Sequence, residues 1–156
     1  MKSKELDTVH EEYLSREIKL IVIHCSGTRC NVPFTPAQLE ALHCANGLHS
    51  IGYHFYITRD GAVYHTRPIH KTGVHAAGFN LHSIGICYEG GLSPEGVSMD
   101  TRTTFQQMAL LDILGILKKQ YPGAAIKGHC QLCADTGMAC PAFDVEKEYG
   151  SLTWDR

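Results

Sequence analysis

Three residues of the kinds that bind transition metals stand next to predicted strand ends. His24 closes the apolar run 19–24, and His129 follows a short predicted strand. Cys140 comes eleven residues after His129. Two imidazoles and one thiolate form a ligand set that holds a catalytic zinc ion and leaves a fourth position open for water. The residue types alone do not decide the matter, because the chain has ten His and such residues also occur in ordinary cores and surfaces.

The cysteines permit two other arrangements. A Cys-x2-Cys pair with flanking ligands would form a closed structural zinc knuckle, although the usual second pair is missing. The residues of such a knuckle are His129, Cys130, Cys133 and Cys140. The chain has seven Cys, an odd number, and a reduced protein with free thiols is the interpretation that we favour. The alternative is a disulfide among Cys30, Cys44, Cys130 and Cys133.

The segments that carry these residues predict one α/β domain with a mixed sheet. The β-branched run 19–24 and the apolar run 83–89 are typical of buried strands. Between them, Asp60-Gly61 separates two alternating runs and predicts a β-hairpin. The element order β-α-β-β-β-α-β-α predicts a central mixed sheet of about five to six strands, flanked by about three helices.

Two longer helices are predicted around the hairpin. Thr35 and Pro36 provide an N-cap and a first helical residue, and the apolar spacing continues the helix towards Gly47. The apolar positions of this first helix are Leu39, Leu42 and Cys44. A second, longer helix spans 101–121. Its predicted core stripe comprises Phe105, Met108, Leu111, Ile113, Leu114 and Leu117. A short strand at 125–127 and a loop at 130–140 follow.

Composition limits the classes of function. The 156 residues fit one domain, for which we expect a polar lead-in at 1–17 and a folded domain at 18–156. The net charge is −2 and no long run of like charges occurs, so a nucleic-acid partner has no electrostatic support. No apolar run approaches the roughly 18 residues of a membrane span. The first seventeen residues lack the apolar core of an export signal, so we expect synthesis in the cytoplasm.

Seven short motifs follow one another along the chain. They are Ile-Val-Ile-His-Cys-Ser at 21–26, Gly-Tyr-His-Phe at 52–55, Thr-Arg-Asp-Gly at 58–61, Gly-Val-His-Ala-Ala-Gly-Phe-Asn at 73–80, Ser-Ile-Gly-Ile-Cys at 83–87, Gly-His at 128–129 and Ala-Cys-Pro-Ala-Phe-Asp at 139–144. In this order they resemble the N-acetylmuramoyl-L-alanine amidase family, which includes T7 lysozyme and the peptidoglycan recognition proteins.

The resemblance implies a zinc hydrolase that acts on peptidoglycan. The zinc ligands of the family match His24, His129 and Cys140. The implied reaction is hydrolysis of the amide that joins the lactyl group of the glycan to the L-alanine of the stem peptide, with zinc activating water and polarising the carbonyl. The implied fold is a mixed sheet with helices on both faces and a groove above the zinc ion.

The resemblance also assigns three residues near the metal. Tyr53 matches the catalytic tyrosine of the family and would stabilise the developing oxyanion or position the water. His75 matches a groove histidine that would protonate the leaving amine or contact substrate, with an exposed loop position as the alternative. Asn80 would help to bind substrate. His54 should face away from Tyr53, which makes it a core residue or an outer partner of a zinc ligand.

Two features depart from the family pattern. Phage enzymes of this kind have a lysine two residues before the cysteine ligand, and Met138 stands there in this chain. The segment between His129 and Cys140 is also longer, and Asp135 within it is a hypothetical replacement for the missing polar group. The favoured interpretation is a monomeric endolysin of phage or prophage type that reaches the cell wall after release. The alternative is a peptidoglycan-binding module with little or no turnover.

Overall fold

A mixed five-stranded sheet forms the centre of the fold. The computed structural model describes residues 16–133 and 139–153. The five strands are β1 (Leu20–Cys25), β3 (Phe55–Ile57), β4 (Val63–His65), β5 (Ser83–Tyr88) and β7 (Ala125–Gly128). They lie in the order β4-β3-β5-β1-β7, and every pair of neighbours is parallel except β3 with β4. Two short strands, β2 (Thr28–Arg29) and β6 (Gly91–Leu92), pair separately. The predicted mixed sheet is therefore confirmed.

The two central strands are buried on both faces, which explains their nearly continuous apolar sequence. Five of the six residues of β1 and all six residues of β5 are buried. One face carries Ile21 and Ile23, which belong to the main hydrophobic core. Because side chains alternate along a strand, His24 points to the opposite face. Strand β1 therefore contributes to the hydrophobic core through one face and places His24 on the other face of the sheet.

The predicted hairpin joins β3 to β4. Tyr56 pairs with Tyr64 in the antiparallel register, and the Gly61 N–H donates to the Thr58 carbonyl over 2.8 Å. Gly61 has φ +83°, and a Cβ at this position would lie 2.8 Å from the Phe105 carbonyl oxygen. Glycine is therefore required both by the left-handed turn and by the close approach of the next helix.

The first helix, α1 (Pro36–Ala45), begins where the sequence predicts. Thr35 caps it, and the Gln38 side chain completes the capping box. Leu39 is buried against the sheet, whereas Leu42 is 48% exposed and Cys44 is exposed. The predicted helix is therefore confirmed, and of its three apolar positions Leu39 is the one that is buried.

The second helix, α2 (Thr104–Gln120), confirms the predicted long helix but not its whole core stripe. The last three predicted positions, Ile113, Leu114 and Leu117, are buried. The first three are largely exposed, namely Phe105 (65%), Met108 (60%) and Leu111 (50%).

Gln106 explains why the buried face of α2 is rotated from the predicted one. Its side chain is fully buried. The amide nitrogen donates to the Ile57 carbonyl over 3.3 Å and to the Glu89 carbonyl over 2.9 Å. Both acceptors lie at the ends of sheet strands, so this polar side chain ties the first turn of α2 to the sheet. A pattern based on hydrophobicity places Gln at the surface and therefore misses it.

The chain after β7 contains two short helices. The first, α3 (His129–Leu132), occupies the start of the segment 130–140, for which a loop is predicted. The second, α4 (Val145–Tyr149), is the predicted final helix and is capped by Asp144. Asp135 and Met138 lie outside the described residues, as do residues 1–15 of the predicted lead-in. No helix of the described part of the chain is long and apolar enough to cross a bilayer.

Candidate metal centre and active site

Neighbouring strand ends bring the predicted metal ligands together. Ile23 of β1 pairs with Gly128 of β7, so His24 and His129 follow paired residues on adjacent strands. Cys140 returns to the same place after α3. The ligand atoms of these three residues all lie within 4.8 Å of one another. His24 is almost completely buried, while the other two are partly exposed and open the site towards solvent.

The structure does not support the alternative zinc knuckle. Within residues 16–133 and 139–153, the one group of three or more potential metal ligands consists of His24, His129 and Cys140. Cys130 and Cys133 do not join it, and Cys130 is exposed. All seven cysteines are free thiols in this structure.

Backbone groups hold Cys140 in position. The Cys25 N–H donates to Cys140 Sγ over 3.3 Å, and the Cys130 N–H donates to the Cys140 carbonyl over 2.8 Å. A hydrogen bond between the two thiols lowers the pKa of Cys25 to about 7. The same hydrogen bond raises the pKa of Cys140, and a cation held by His24 and His129 would favour the thiolate form of Cys140.

His75 contacts a candidate metal ligand directly. Its Nδ1 lies 2.8 Å from Nε2 of His24, and its Nε2 lies 3.2 Å from Oγ of Ser83. Burial is the main reason why the pKa of His75 falls to about 3, so the ring is neutral at pH 7. The alternative of an exposed loop histidine is wrong, since the residue is half-buried and both ring nitrogens have partners.

Glycine and asparagine shape the niche that holds the His75 ring. A Cβ at Gly85 would lie 2.7–2.9 Å from three atoms of this ring, and a Cβ at Gly73 would lie 2.6 Å from its Cδ2. Asn80 Oδ1 accepts hydrogen bonds from the backbone N–H groups of His75 (2.9 Å) and Ala76 (2.8 Å). The His75 ring is therefore held by close contacts with the glycines, by partners at both ring nitrogens, and by the hydrogen bond from its backbone N–H to Asn80.

Tyr53 also lies beside His24. The two ring centroids are 5.0 Å apart. Burial raises the pKa of Tyr53 well above its usual value, so the phenol keeps its proton. His43 of α1 supports this region, because its Nδ1 accepts from the Gly52 N–H over 2.9 Å and its ring lies 5.4 Å from that of Tyr53.

His54 is a core residue that lies close to the cluster. It is fully buried. Its Nδ1 accepts from the Gly85 N–H over 3.0 Å, and its Nε2 lies 2.8 Å from the Lys71 carbonyl oxygen. Burial lowers the pKa of His54 to about 4. The core interpretation of the sequence is confirmed, and His54 also packs near His75 with their ring centroids 6.0 Å apart.

Comparison with known proteins identifies the arrangement. The sequence model of the N-acetylmuramoyl-L-alanine amidase family matches residues 14–143. The chain belongs to this family. The amidase is 34% identical over 132 residues to the endolysin of Klebsiella phage KP32, with 85% of each chain covered. It is also 34% identical over 127 residues to the endolysin of Escherichia phage T7, which covers 81% of this chain and 82% of the phage protein.

Solved structures agree with this assignment. The amidase LysC from Clostridium intestinale URNW matches with a TM-score of 0.71 and 30% identity, covering 85% of this chain and 81% of that one. The chain is thus an N-acetylmuramoyl-L-alanine amidase of the phage type, and the fold implied by its sequence motifs is confirmed.

The cluster in this amidase fits a zinc ion. Two imidazoles and one sulfur lie close enough to share one cation, and this donor set is common for catalytic zinc. The second nitrogen of His24 has a hydrogen-bond partner, and the sulfur of Cys140 accepts from a backbone N–H. Partners of this kind orient metal ligands in known zinc sites.

Two residues of the active site carry no assignment from the sequence. His43 lies on a predicted helix whose apolar residues, not its histidine, define the pattern. Ser83 begins the Ser-Ile-Gly-Ile-Cys motif, but nothing in a single sequence shows that its hydroxyl faces a histidine eight residues earlier. Their roles depend on contacts between elements, which periodicity does not reveal.

Proposed function

We propose that this amidase uses zinc, held by His24, His129 and Cys140, to hydrolyse the amide between the lactyl group of peptidoglycan and L-alanine. The observation that carries the proposal is the grouping of the three ligand atoms within 4.8 Å at the ends of β1 and β7. When bound, zinc would supply a Lewis acid that polarises the amide carbonyl and makes water a stronger nucleophile at neutral pH.

Tyr53 is proposed as the hydrogen-bond donor to the reacting oxygen. Its phenol keeps its proton across the physiological pH range because burial raises its pKa. A neutral phenol beside His24 can donate a hydrogen bond to the oxygen on which negative charge develops. The contact between His43 and Tyr53 would hold the ring in this position.

His75 and Asn80 are proposed to organise the site more than to touch the substrate. Both nitrogens of His75 have partners, so protonation of the leaving amine would require it to break a contact with His24 or Ser83. We infer that His75 chiefly orients His24. Asn80 holds the loop that carries His75 through its Oδ1, and its amide nitrogen is proposed to bind substrate.

We propose that the protein works as a monomeric endolysin, synthesised in the cytoplasm, that acts on the cell wall after release. The candidate ligands and Tyr53 all come from one chain, so no second copy is needed to complete the site. The similarity to phage endolysins over 85% of the chain supports this context.

Product analysis tests the proposal. The zinc-loaded protein is incubated with Gram-negative peptidoglycan and, separately, with a soluble muramoyl-peptide, and the products are identified by mass spectrometry. We expect free stem peptides that begin with L-alanine, and none from the matched Cys140→Ser variant. Binding to the wall without release of peptides at any pH between 5 and 9 would refute the proposal and favour a recognition module.

A further inference from the structure

A second concave site lies away from the metal centre. A cavity of about 390 Å³ opens between the loop that precedes α1 and the β3–β4 hairpin. Its lining includes Asn31, Thr35, Asp60, Tyr64 and Glu89, and contains no candidate metal ligand, nor Tyr53 or His75. The mechanism proposed above does not use it.

Glu89 connects the two walls of this cavity. The residue follows β5 and is only 5% exposed. One carboxylate oxygen accepts from the Phe34 N–H over 2.7 Å, and the other accepts from the Arg59 N–H over 2.9 Å. These two bonds join the loop before α1 to the hairpin, which are the two walls of the cavity. The position of each wall is therefore set by a hydrogen bond to the buried carboxylate of Glu89.

The cavity and the metal centre share one face of the sheet. His24 pairs with Cys87, Cys87 pairs with Tyr56, and Tyr56 pairs with Tyr64 across β1, β5, β3 and β4. Directly paired residues have their side chains on the same face. Three strand spacings separate the ends of this row, which corresponds to about 14 Å between the backbones of His24 and Tyr64.

Helix α1 spans the distance between the two sites. Thr35 and Pro36, at its start, line the cavity. His43, seven residues later, contacts the Tyr53 ring beside the metal centre. Seven residues of helix correspond to about 10 Å. A ligand that reaches both sites must therefore be longer than the amide that is cut, as a polymer is.

The chemistry of the lining favours a neutral sugar. The Tyr64 ring is 44% exposed and offers an aromatic face. Within the described residues, neither the Tyr64 hydroxyl nor the Asn31 amide has a hydrogen-bond partner, so both are available to ligand hydroxyl and acetamido groups. The lining has two carboxylates, those of Asp60 and Glu89, and one guanidinium, that of Arg59, so its acidic groups outnumber its basic group. The stem peptides carry carboxylates and would be repelled, whereas the glycan is uncharged once its lactyl groups are amidated.

We propose that this cavity binds a sugar ring of the glycan strand, next to the muramic acid whose amide is cleaved. The proposal rests on the amidase function proposed above, because it assigns the cavity to the same substrate. The role of the cavity would be to hold a stretch of the polymer that is not yet cleaved, whose amidated lactyl groups carry no charge. Tyr64 would pack on the sugar ring, and Asn31 would hydrogen-bond its substituents.

Binding and turnover are tested with separate probes. Titration of a tetramer of N-acetylglucosamine into the protein, followed by NMR, is expected to shift the amide signals of Asn31 and Tyr64 before those around His129. The Tyr64→Ala variant is expected to weaken this binding, and binding to insoluble peptidoglycan, by about tenfold. It should leave the turnover of a small muramoyl-dipeptide unchanged.

Matched variants complete the design. Val63 is also 44% exposed but faces the other side of β4, so Val63→Ala should leave sugar binding unchanged. Tyr64→Phe keeps the ring and should retain most of the affinity. The inference is overturned if Tyr64→Ala binds the sugar as the parent does, or if the Val63 and Tyr64 variants weaken it equally. Because sugar binding requires no catalysis, an inactive but sugar-binding protein would refute the proposed function and leave the cavity assignment intact.

Discussion

Nδ1 of His75 lies 2.8 Å from Nε2 of His24, which leaves Nδ1 of His24 as the nitrogen available to a metal. A metal bound through Nδ1 of His24 would place the proton of this ring on Nε2, from which it would be donated to His75. His75 would then carry its own proton on Nε2 and donate to Ser83 Oγ. With a metal bound in this way, the three side chains would form a series of donors that runs outward from the metal.

Removal of the Ser83 hydroxyl, which contacts His75, should weaken metal binding. Ser83→Ala takes away the acceptor for His75 and should reduce zinc affinity about tenfold, within the range found for outer partners of metal ligands. Competition with a chromogenic chelator measures this affinity without substrate. His82→Ala, at the neighbouring half-buried position whose ring contacts the Glu17 carbonyl, is the control and should bind zinc normally. Normal zinc affinity in Ser83→Ala would show that the serine does not orient the histidine pair.

Tyr53 and Tyr56 should separate catalysis from stability. Tyr53→Phe removes the proposed donor to the reacting oxygen and should lower kcat about 100-fold or more, with little change in stability. Tyr56→Phe removes a buried hydroxyl that donates to the Phe34 carbonyl over 2.6 Å. It should lower the free energy of unfolding by about 1 kcal/mol and preserve kcat. Steady-state kinetics on a muramoyl-peptide and urea denaturation measure both quantities. Equal kcat values in the two variants would contradict the role of Tyr53.

Acid should destabilise the fold through His54. Its pKa is about 4 in the folded protein, against an ordinary value of 6.5. Between these values the unfolded chain binds a proton that the folded protein does not, so stability falls as pH decreases from about 6.5 to about 4. The full effect of this residue is about 3 kcal/mol. His54→Asn retains an acceptor and a donor but does not titrate. Denaturation at several pH values should therefore give a shallower pH dependence for this variant than for the parent.

The buried amide of Gln106 should contribute to stability in a way that its exposed neighbour does not. Gln106→Leu removes the side-chain donor to the Glu89 carbonyl and one of the two donors to the Ile57 carbonyl, and should cost about 1–3 kcal/mol of unfolding free energy. Gln107→Leu makes the same change at an exposed position of α2 and should be nearly neutral. If thermal denaturation gave the two variants the same melting temperature, the hydrogen bonds from Gln106 to the sheet would not contribute to stability.

The sequence predicts the elements that local patterns determine. Alternation and apolar runs identify the strands that carry His24 and the Asp-Gly hairpin, and a threonine with Pro36 identifies the start of α1. The register of β1 with β7 is different, because it joins residues more than one hundred positions apart. Single-sequence periodicity contains no information about such pairing, and only the family motifs predict that His129 meets His24.

Errors in the predicted core have one physical cause. Hydrophobic patterning assigns Phe105 and Met108 to the core and Gln106 to the surface, whereas the structure has the reverse. The Gln106 amide finds two carbonyls at strand ends, and this satisfies a polar group that burial would otherwise penalise. His75 is a similar case, since its side-chain partners belong to two strands, β1 and β5, whose pairing local sequence patterns do not predict.

The pairing of β1 with β7 also has a consequence for the order of events during synthesis. A growing chain can form the hairpin and the β1–β5 pair early, but His24 has no metal-binding partner until His129 and Cys140 have left the ribosome. An unfinished chain therefore contains most of the sheet and none of the proposed chemistry. Under the proposed function, fragments that end before Cys140 would therefore be unable to cut the cell wall.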